Sequence, residues 1–281
     1  MFKFFSWRSR KSWFYTLISI FSAAIVCLTN IQPSYSISWF DLLRQGVQVI
    51  QLSSMSNKQE IALGKDINEQ LIQSGQAKIY RDRQITNYVN RIGQKLAKSS
   101  DRPDLPYTFQ VVDDKNINAF ATMGGYVYIN TGLMLAAENE AELASVVGHE
   151  IGHIVGRHAI EHMRQRAIAQ GILSVAGLDQ SAAVQIGVDL AVNRPNSRED
   201  ELEADQLGLA NLKKAGYAPS GMVSFMNKLL KRGSSGPKIL STHPSTSDRI
   251  EALNNKIDQS SANVGTGLNT QAYKRNIGSL R

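Results

Sequence analysis

His149-Glu150-Ile151-Gly152-His153 limits what this 281-residue chain can fold into more than any other stretch. It sits inside Val146–Gly156, an apolar run with helical spacing. On a helix, residues four apart stand about 40° from one another on one face, so both imidazoles can reach a single ion. Glu150 points aside, close enough to take a proton from water at that ion without binding the ion itself. Two neutral imidazoles, an open coordination position and a carboxylate base are what zinc-assisted hydrolysis requires. The opposite face carries Leu143, Ala144, Val147, Ile151 and Ile154, a stripe suited to a core. Asn139 and Glu142 read as a capping box opening the helix, while Ser145, Gly152 and Gly156 leave room on the ligand face for substrate or backbone.

Two histidines leave such a site one protein ligand short. The sole cysteine is Cys27, so the missing ligand must come from a carboxylate or another imidazole. The acidic segment running from Ser197 to Asp205 is the obvious source. Ser197 with Asp200 can cap its helix, and helical projection places Glu201 and Asp205 on the side of Gly208, Leu209 and Leu212. Glu199 and Glu203 fall on the solvent side. Carboxylates on an apolar face are costly unless a cation or hydrogen bonds compensate them. One zinc ion per chain is therefore expected, with Glu201 as its third protein ligand and Asp205 behind a ligating imidazole. A rival inverted motif, His158-Ala159-Ile160-Glu161-His162, shares its face with Gln165 and Arg166. It reads as a solvated cationic face that would repel a dication. A longer zinc pattern with a third histidine fails because residue 159 is alanine.

The flanks bear on location. Lys3, Arg8, Arg10 and Lys11 precede an uncharged apolar run from Trp13 to Leu28. This predicts residues 1–36 to be a secretory signal cleaved after Ser36, in preference to a retained anchor. The catalytic region is then exported, periplasmic or otherwise extracytoplasmic and membrane-associated, with no cysteine left for disulfides or nucleophilic catalysis. The formal charge of +7 is concentrated in those four cations; the rest of the chain balances 27 basic against 24 acidic residues and offers no footprint for nucleic acid.

Periodicity predicts a linker with a short amphipathic segment over 37–56, a domain over 57–258, and a Ser-, Asn-, Gly- and Thr-rich tail over 259–281 that is expected to be disordered. Within the domain, helices are expected over 57–73 and 82–98, a strand over 107–112, and two short strands about Gly124-Gly125. Residues 170–192 suit either a helical hairpin or a lid. The fold class is α+β, mostly α, with a small antiparallel sheet or hairpin beside the helix of the histidines. An edge strand there can pair with an extended peptide, making Asn118, Ala119, Phe120, Gly124 and Gly125 candidate substrate contacts.

His149–His153 followed by Arg157-His158, the Glu201-Leu202-Glu203-Ala204-Asp205 segment, Ser241-Thr242-His243-Pro244 and Asp248-Arg249-Ile250 together resemble the M48 family of zinc metallopeptidases, which includes prenyl-protein and heat-shock membrane proteases. The resemblance covers roughly residues 57–255. It implies a zincin-like metallopeptidase domain, here a soluble domain behind an export signal. It implies His149, His153 and Glu201 as zinc ligands, Glu150 as general base, and Asp205 as a supporting or proton-donating acid. His243 would bond the tetrahedral oxyanion or gate the metal at rest, with Arg249 a lesser candidate for the same charge. The family's hairpin usually has proline where this chain has Met123, which leaves the strand's role intact and the turn geometry open. The activity implied is that of a cell-envelope endopeptidase acting on unfolded or misfolded polypeptide, with the membrane surface as a further partner. The alternative is a zinc-containing periplasmic chaperone or assembly factor with little proteolytic activity.

Overall fold

Caps and apolar spacing place the helices of the structure, a computed structural model that describes residues 49–172, 177–193, 196–231, 238–244 and 246–280. The expected signal and most of the linker lie outside the described residues. A short strand, β1 (Val49–Ile50), precedes α1 (Asn57–Gln73) and α2 (Arg83–Ser99). Ser56 opens α1 with a reciprocal capping box to Gln59, and the Asp82 carboxylate accepts the N–H groups of Gln84 and Ile85 at the start of α2. Ile85, Val89, Ile92 and Leu96 form the buried stripe of α2.

Strands β2 (Thr108–Val112), β3 (Ala119–Ala121) and β4 (Tyr126–Asn130) form a sheet of order β2-β4-β3. β3 and β4 make the expected antiparallel hairpin. β2 instead runs parallel to β4, from Thr108 opposite Tyr126 to Val112 opposite Asn130, so the sheet is mixed rather than antiparallel. Alternation along a strand selects its buried face but not the direction of its neighbour.

After α3 (Thr131–Ala136) comes α4 (Glu140–Val155), which carries the paired histidines and is buried at every position from Ala141 to Ile154. The Asn139 side chain caps it as expected, but the Glu142 carboxylate turns to the Glu138 N–H, Ser224 and Lys228 rather than closing the box. Next are α5 (His158–Ala169), β5 (Leu178–Asp179, antiparallel to β1), α6 (Gln180–Asn193), α7 (Arg198–Lys214), α8 (Ser220–Lys231), α9 (Lys238–Thr242), α10 (Thr246–Lys256) and α11 (Thr270–Asn276). α6 packs on α1 and α5 through Ala183, Ile186 and Gly187. Among the described residues no helix is long and apolar enough to cross a membrane.

The crossing of α4 and α7 is unusually close. A Cβ at Gly152 would lie 2.5 Å from the Ala204 carbonyl oxygen, and one at Gly208 would lie 2.9 Å from the His149 nitrogen. Two glycines thus let the backbones meet, and the meeting brings a carboxylate helix against a histidine helix.

The segment beyond Gln259 corrects the expectation of a disordered tail. Its Gly267 carbonyl accepts the Ala141 N–H in the first turn of α4, supplying a partner that helix ends lack. Tyr273 in α11 is 1% exposed and donates its hydroxyl to the Met134 carbonyl at 2.7 Å. Tyr273, Ile277 and Leu280 recur at helical spacing and all enter the core. The polar average of the tail conceals this sparse apolar stripe.

Glu60 of α1 holds the lower end of α4. Arg102 donates to both of its carboxylate oxygens at 3.0 and 2.8 Å and to the Ile154 carbonyl at 2.9 Å. Arg157 pairs with it at 3.1 Å, and the Gly124 N–H donates to it at 3.3 Å. Glu60 is 1% exposed and Arg102 is mostly buried, so Glu60→Ala removes the anion from a buried pair and is expected to cost about 3–5 kcal/mol in a denaturant titration. A loss below ~1 kcal/mol, the range of an exposed pair, would contradict the clamp.

Candidate metal centre

α4 presents His149 and His153 one turn apart, and the close crossing brings Glu201 from the first turns of α7 against them. The two imidazole Nε2 atoms lie 3.1 Å apart. Glu201 places Oε2 3.5 Å from His149 Nε2 and Oε1 3.3 Å from His153 Nε2. His243, just past α9, brings Nδ1 to 3.2 Å from His149 Nε2 and 2.8 Å from Glu201 Oε1. His149, His153, Glu201 and His243 thus form a possible metal site of buried donors, all within 4.8 Å of one another.

The donor set fits a zinc-class ion. Bonds of 2.0–2.1 Å in tetrahedral array imply donor separations of about 3.3 Å, close to those seen here. Glu201 Oε2 is buried with no hydrogen-bond partner and has only ion-pair contacts with Arg249 and His149. Three imidazole nitrogens and an anionic oxygen gathered this closely in a buried place are the donor set such an ion takes.

Glu150 follows His149 on α4 and is 1% exposed. Its Oε1 has no hydrogen-bond partner and lies 3.5 Å from His243 Nε2. Burial pushes its carboxyl above the ordinary range, only partly offset by His243 and His149. Burial acts the same way on Glu201, but His243 and His149 outweigh it and hold that carboxyl far below its usual range. Burial lowers the His153 imidazole to about 3, with His149 adding to the effect. It opposes the charged form of His149 too, yet Glu201 and Asp205 raise that group to about 9.

Asp205, one turn beyond Glu201, receives His149 Nδ1 at 2.8 Å. Arg249 of α10 grips the same carboxylate with Nε and Nη2, both at 2.7 Å. The two bonds keep Asp205 ionised against the effect of burial. Arg249 was expected beside substrate; it is 4% exposed and committed to Asp205 and Glu201. Its role here is to hold the carboxylates.

A cleft opens beside the donors, lined by Phe120, Ala121, Thr122, Glu150, His153 and His243 among others. Of the expected substrate contacts only Phe120 lines it. Asn118 is buried, with Thr242 3.5 Å from its Oδ1, and Ala119 points into the core. Gly124 and Gly125 are turn residues with φ of 75° and 98°, packed against α1 and the Pro106-Tyr107 backbone. The Gly-Gly pair therefore serves the fold, because its positive φ and the approach of α1 exclude side chains. Met123, in the place of the usual proline, is buried in a 3₁₀ turn.

Sequence reasoning missed Asn196 and misread His158. Asn196 Nδ2 donates to Glu201 Oε1 at 2.8 Å, and its N–H bonds the Thr242 carbonyl, tying the His243 loop to α7. A single loop asparagine carries no periodic signal. His158 and His162 do not form a solvated cationic face. They are 5% and 7% exposed and meet Asp200, with Glu203 also on His158, because the chain turns sharply before α5.

The proteins this chain matches in sequence include peptidases. The model of peptidase family M48 matches residues 83–257. Over 224 residues the chain is 31% identical to the beta-barrel assembly-enhancing protease of Escherichia coli K12, covering 74% of this chain and 45% of that protein. It is also 31% identical over 194 residues to the mitochondrial metalloendopeptidase OMA1 of Arabidopsis thaliana, covering 68% and 40%. With metalloprotease YcaL of Escherichia coli K12 it shares 25% over 254 residues, covering 86% and 96%. The chain spans less than half the length of the first two relatives. The matched region contains all four clustered donors and Glu150, and on that basis the chain belongs to peptidase family M48.

Proposed function

We propose that this chain is an exported, zinc-dependent endopeptidase of the cell envelope that cleaves unfolded or misfolded polypeptides. One observation carries the reading: the donors of His149, His153 and Glu201 converge beside Glu150, in a cleft walled by an edge strand. Zinc held by those three residues would supply Lewis-acid activation of water and of the scissile carbonyl. Glu150, buried and with a free carboxylate oxygen, takes the proton from the attacking water and returns it to the leaving amine. Asp205 is saturated by His149 and Arg249, so it holds His149 in place rather than delivering protons.

β3 has β4 on one side and no strand on the other among the described residues. Its outer N–H and C=O groups can align an extended backbone past Glu150, which favours chains that are unfolded or locally open. Export is supported by the basic N-terminus with its apolar run, and an envelope setting by similarity to a protein named for beta-barrel assembly. The membrane surface is then the neighbouring partner.

His243 supports a second reading. Its Nδ1 stands where a fourth donor would close the position that a catalytic zinc site keeps open. It describes either a resting state that substrate must displace or a zinc-containing chaperone or assembly factor that binds chains and rarely cuts them. The zinc-loaded protein is expected to degrade casein, to stop when chelated and to recover with added zinc. Casein that is bound but stays whole would move the conclusion to the second reading.

A further inference from the structure

α4 does not run on into α5. On a continuous helix His158 would point away from His153, but the chain turns at Arg157, whose φ of 57° is the sole positive value at a non-glycine among the described residues. A bulky side chain adopts that conformation only when its surroundings enforce it. Here Arg157 Nη2 donates to the Met55 carbonyl at 2.7 Å and pairs with Glu60 at 3.1 Å. The turn swings His158 back beneath the end of α4, where a Cβ on residue 156 would lie 2.5 Å from His158 Nε2; Gly156 makes the space.

The result is a buried contact between two imidazoles. His153 Nδ1 and His158 Nδ1 are 2.8 Å apart, with the rings 75° from coplanar. Two facing ring nitrogens at that distance share one proton. His153 turns its other nitrogen, Nε2, toward His149 and Glu201, where an ion needs its lone pair. Its proton must then sit on Nδ1, so His153 donates and His158 accepts. That fixes the His158 proton on Nε2, which faces Glu203 Oε2 at 3.2 Å and Asp200 Oδ1 at 3.7 Å. Asp200 is itself fixed by Ser197 at the start of α7 and by His162 at 2.7 Å.

We propose that His158 is a positioning residue: it fixes the tautomer and ring plane of His153, as Asp205 does for His149. Both imidazoles on α4 are then tied from behind to α7, the helix that also supplies Glu201. One route is direct, through Asp205; the other passes through His158 to Glu203 and Asp200. The inference rests on the metal reading given above.

The test is zinc affinity, measured by competition with a chromophoric chelator on the full chain, for wild type, His158→Leu, His158→Gln and Met163→Ala. Outer partners of metal-bound histidines are typically worth 10–100-fold in affinity, so His158→Leu is expected to bind about that much more weakly. His158→Gln should recover most of the loss, because its amide can accept from His153 and donate to Glu203. Met163 is fully buried on the same helix and away from the donors, so Met163→Ala lowers stability but should keep wild-type affinity. A change of less than about threefold in His158→Leu, or an equal loss in Met163→Ala, would overturn the inference while wild-type binding left the metal reading intact. Wild type that takes up no zinc sinks both. Should His158→Leu not fold, histidine ¹⁵N spectra of the zinc-loaded wild type decide: a bare His158 Nδ1 supports the assignment, and a protonated one overturns it.

Discussion

Glu150→Gln is expected to lower kcat on casein by about 10²–10⁴-fold while zinc content and KM stay near wild type. The substitution conserves shape and keeps a polar group in a nearly inaccessible position, so the cleft and the neighbouring imidazoles are undisturbed. What disappears is the capacity to hold a proton. The wild-type carboxylate is suited to that task because burial lifts its affinity for protons toward neutrality, and no hydrogen bond satisfies Oε1. Steady-state kinetics with metal analysis of both proteins distinguish a lost base from a lost ion. Equal turnover by the variant would remove Glu150 from the chemistry.

Glu201→Ala should have the larger effect on the ion. It deletes the only anionic donor of the four, leaving three imidazoles around a dication. The expected loss exceeds the roughly 10–100-fold caused by removing an outer partner, so dialysis against a mild chelator should strip the variant and not the wild type. The same substitution frees part of Arg249, although Asp205 still holds that guanidinium through two bonds. Circular dichroism beside the zinc measurement separates a missing ligand from a damaged fold, and Glu201→Gln provides the uncharged comparison. A full equivalent of tightly bound zinc in a folded alanine variant would contradict the assignment of Glu201.

Much of the centre could be read from spacing because a helix converts sequence distance into direction. His149 with His153, and Glu201 with Asp205, are each one turn apart, and the structure brings all four side chains together. His243 and Arg249 could be named only through likeness to relatives, since they come from a loop and a short helix whose placement depends on tertiary packing. The same limit explains the misreadings. Gly124 and Gly125 look like a substrate-facing turn in sequence, yet what approaches them is α1 and the Pro106-Tyr107 backbone. His158 projects to solvent on an unbroken helix, and one left-handed residue reverses it. The tail resembles a linker in composition, because three widely spaced apolar residues do not alter an average but are enough to seat a helix. The direction of β2 depended on contacts that no alternation pattern records.

That final helix reaches further than its size suggests. Gly267 meets the first turn of α4 and Tyr273 locks onto the strand-to-helix corner at Met134, although the family match ends at residue 257. The stretch matched by the family and the stretch that packs into one core are therefore different pieces of chain. A fragment trimmed at residue 257 would leave the Ala141 N–H without the Gly267 carbonyl, at the start of the very helix that carries both imidazoles.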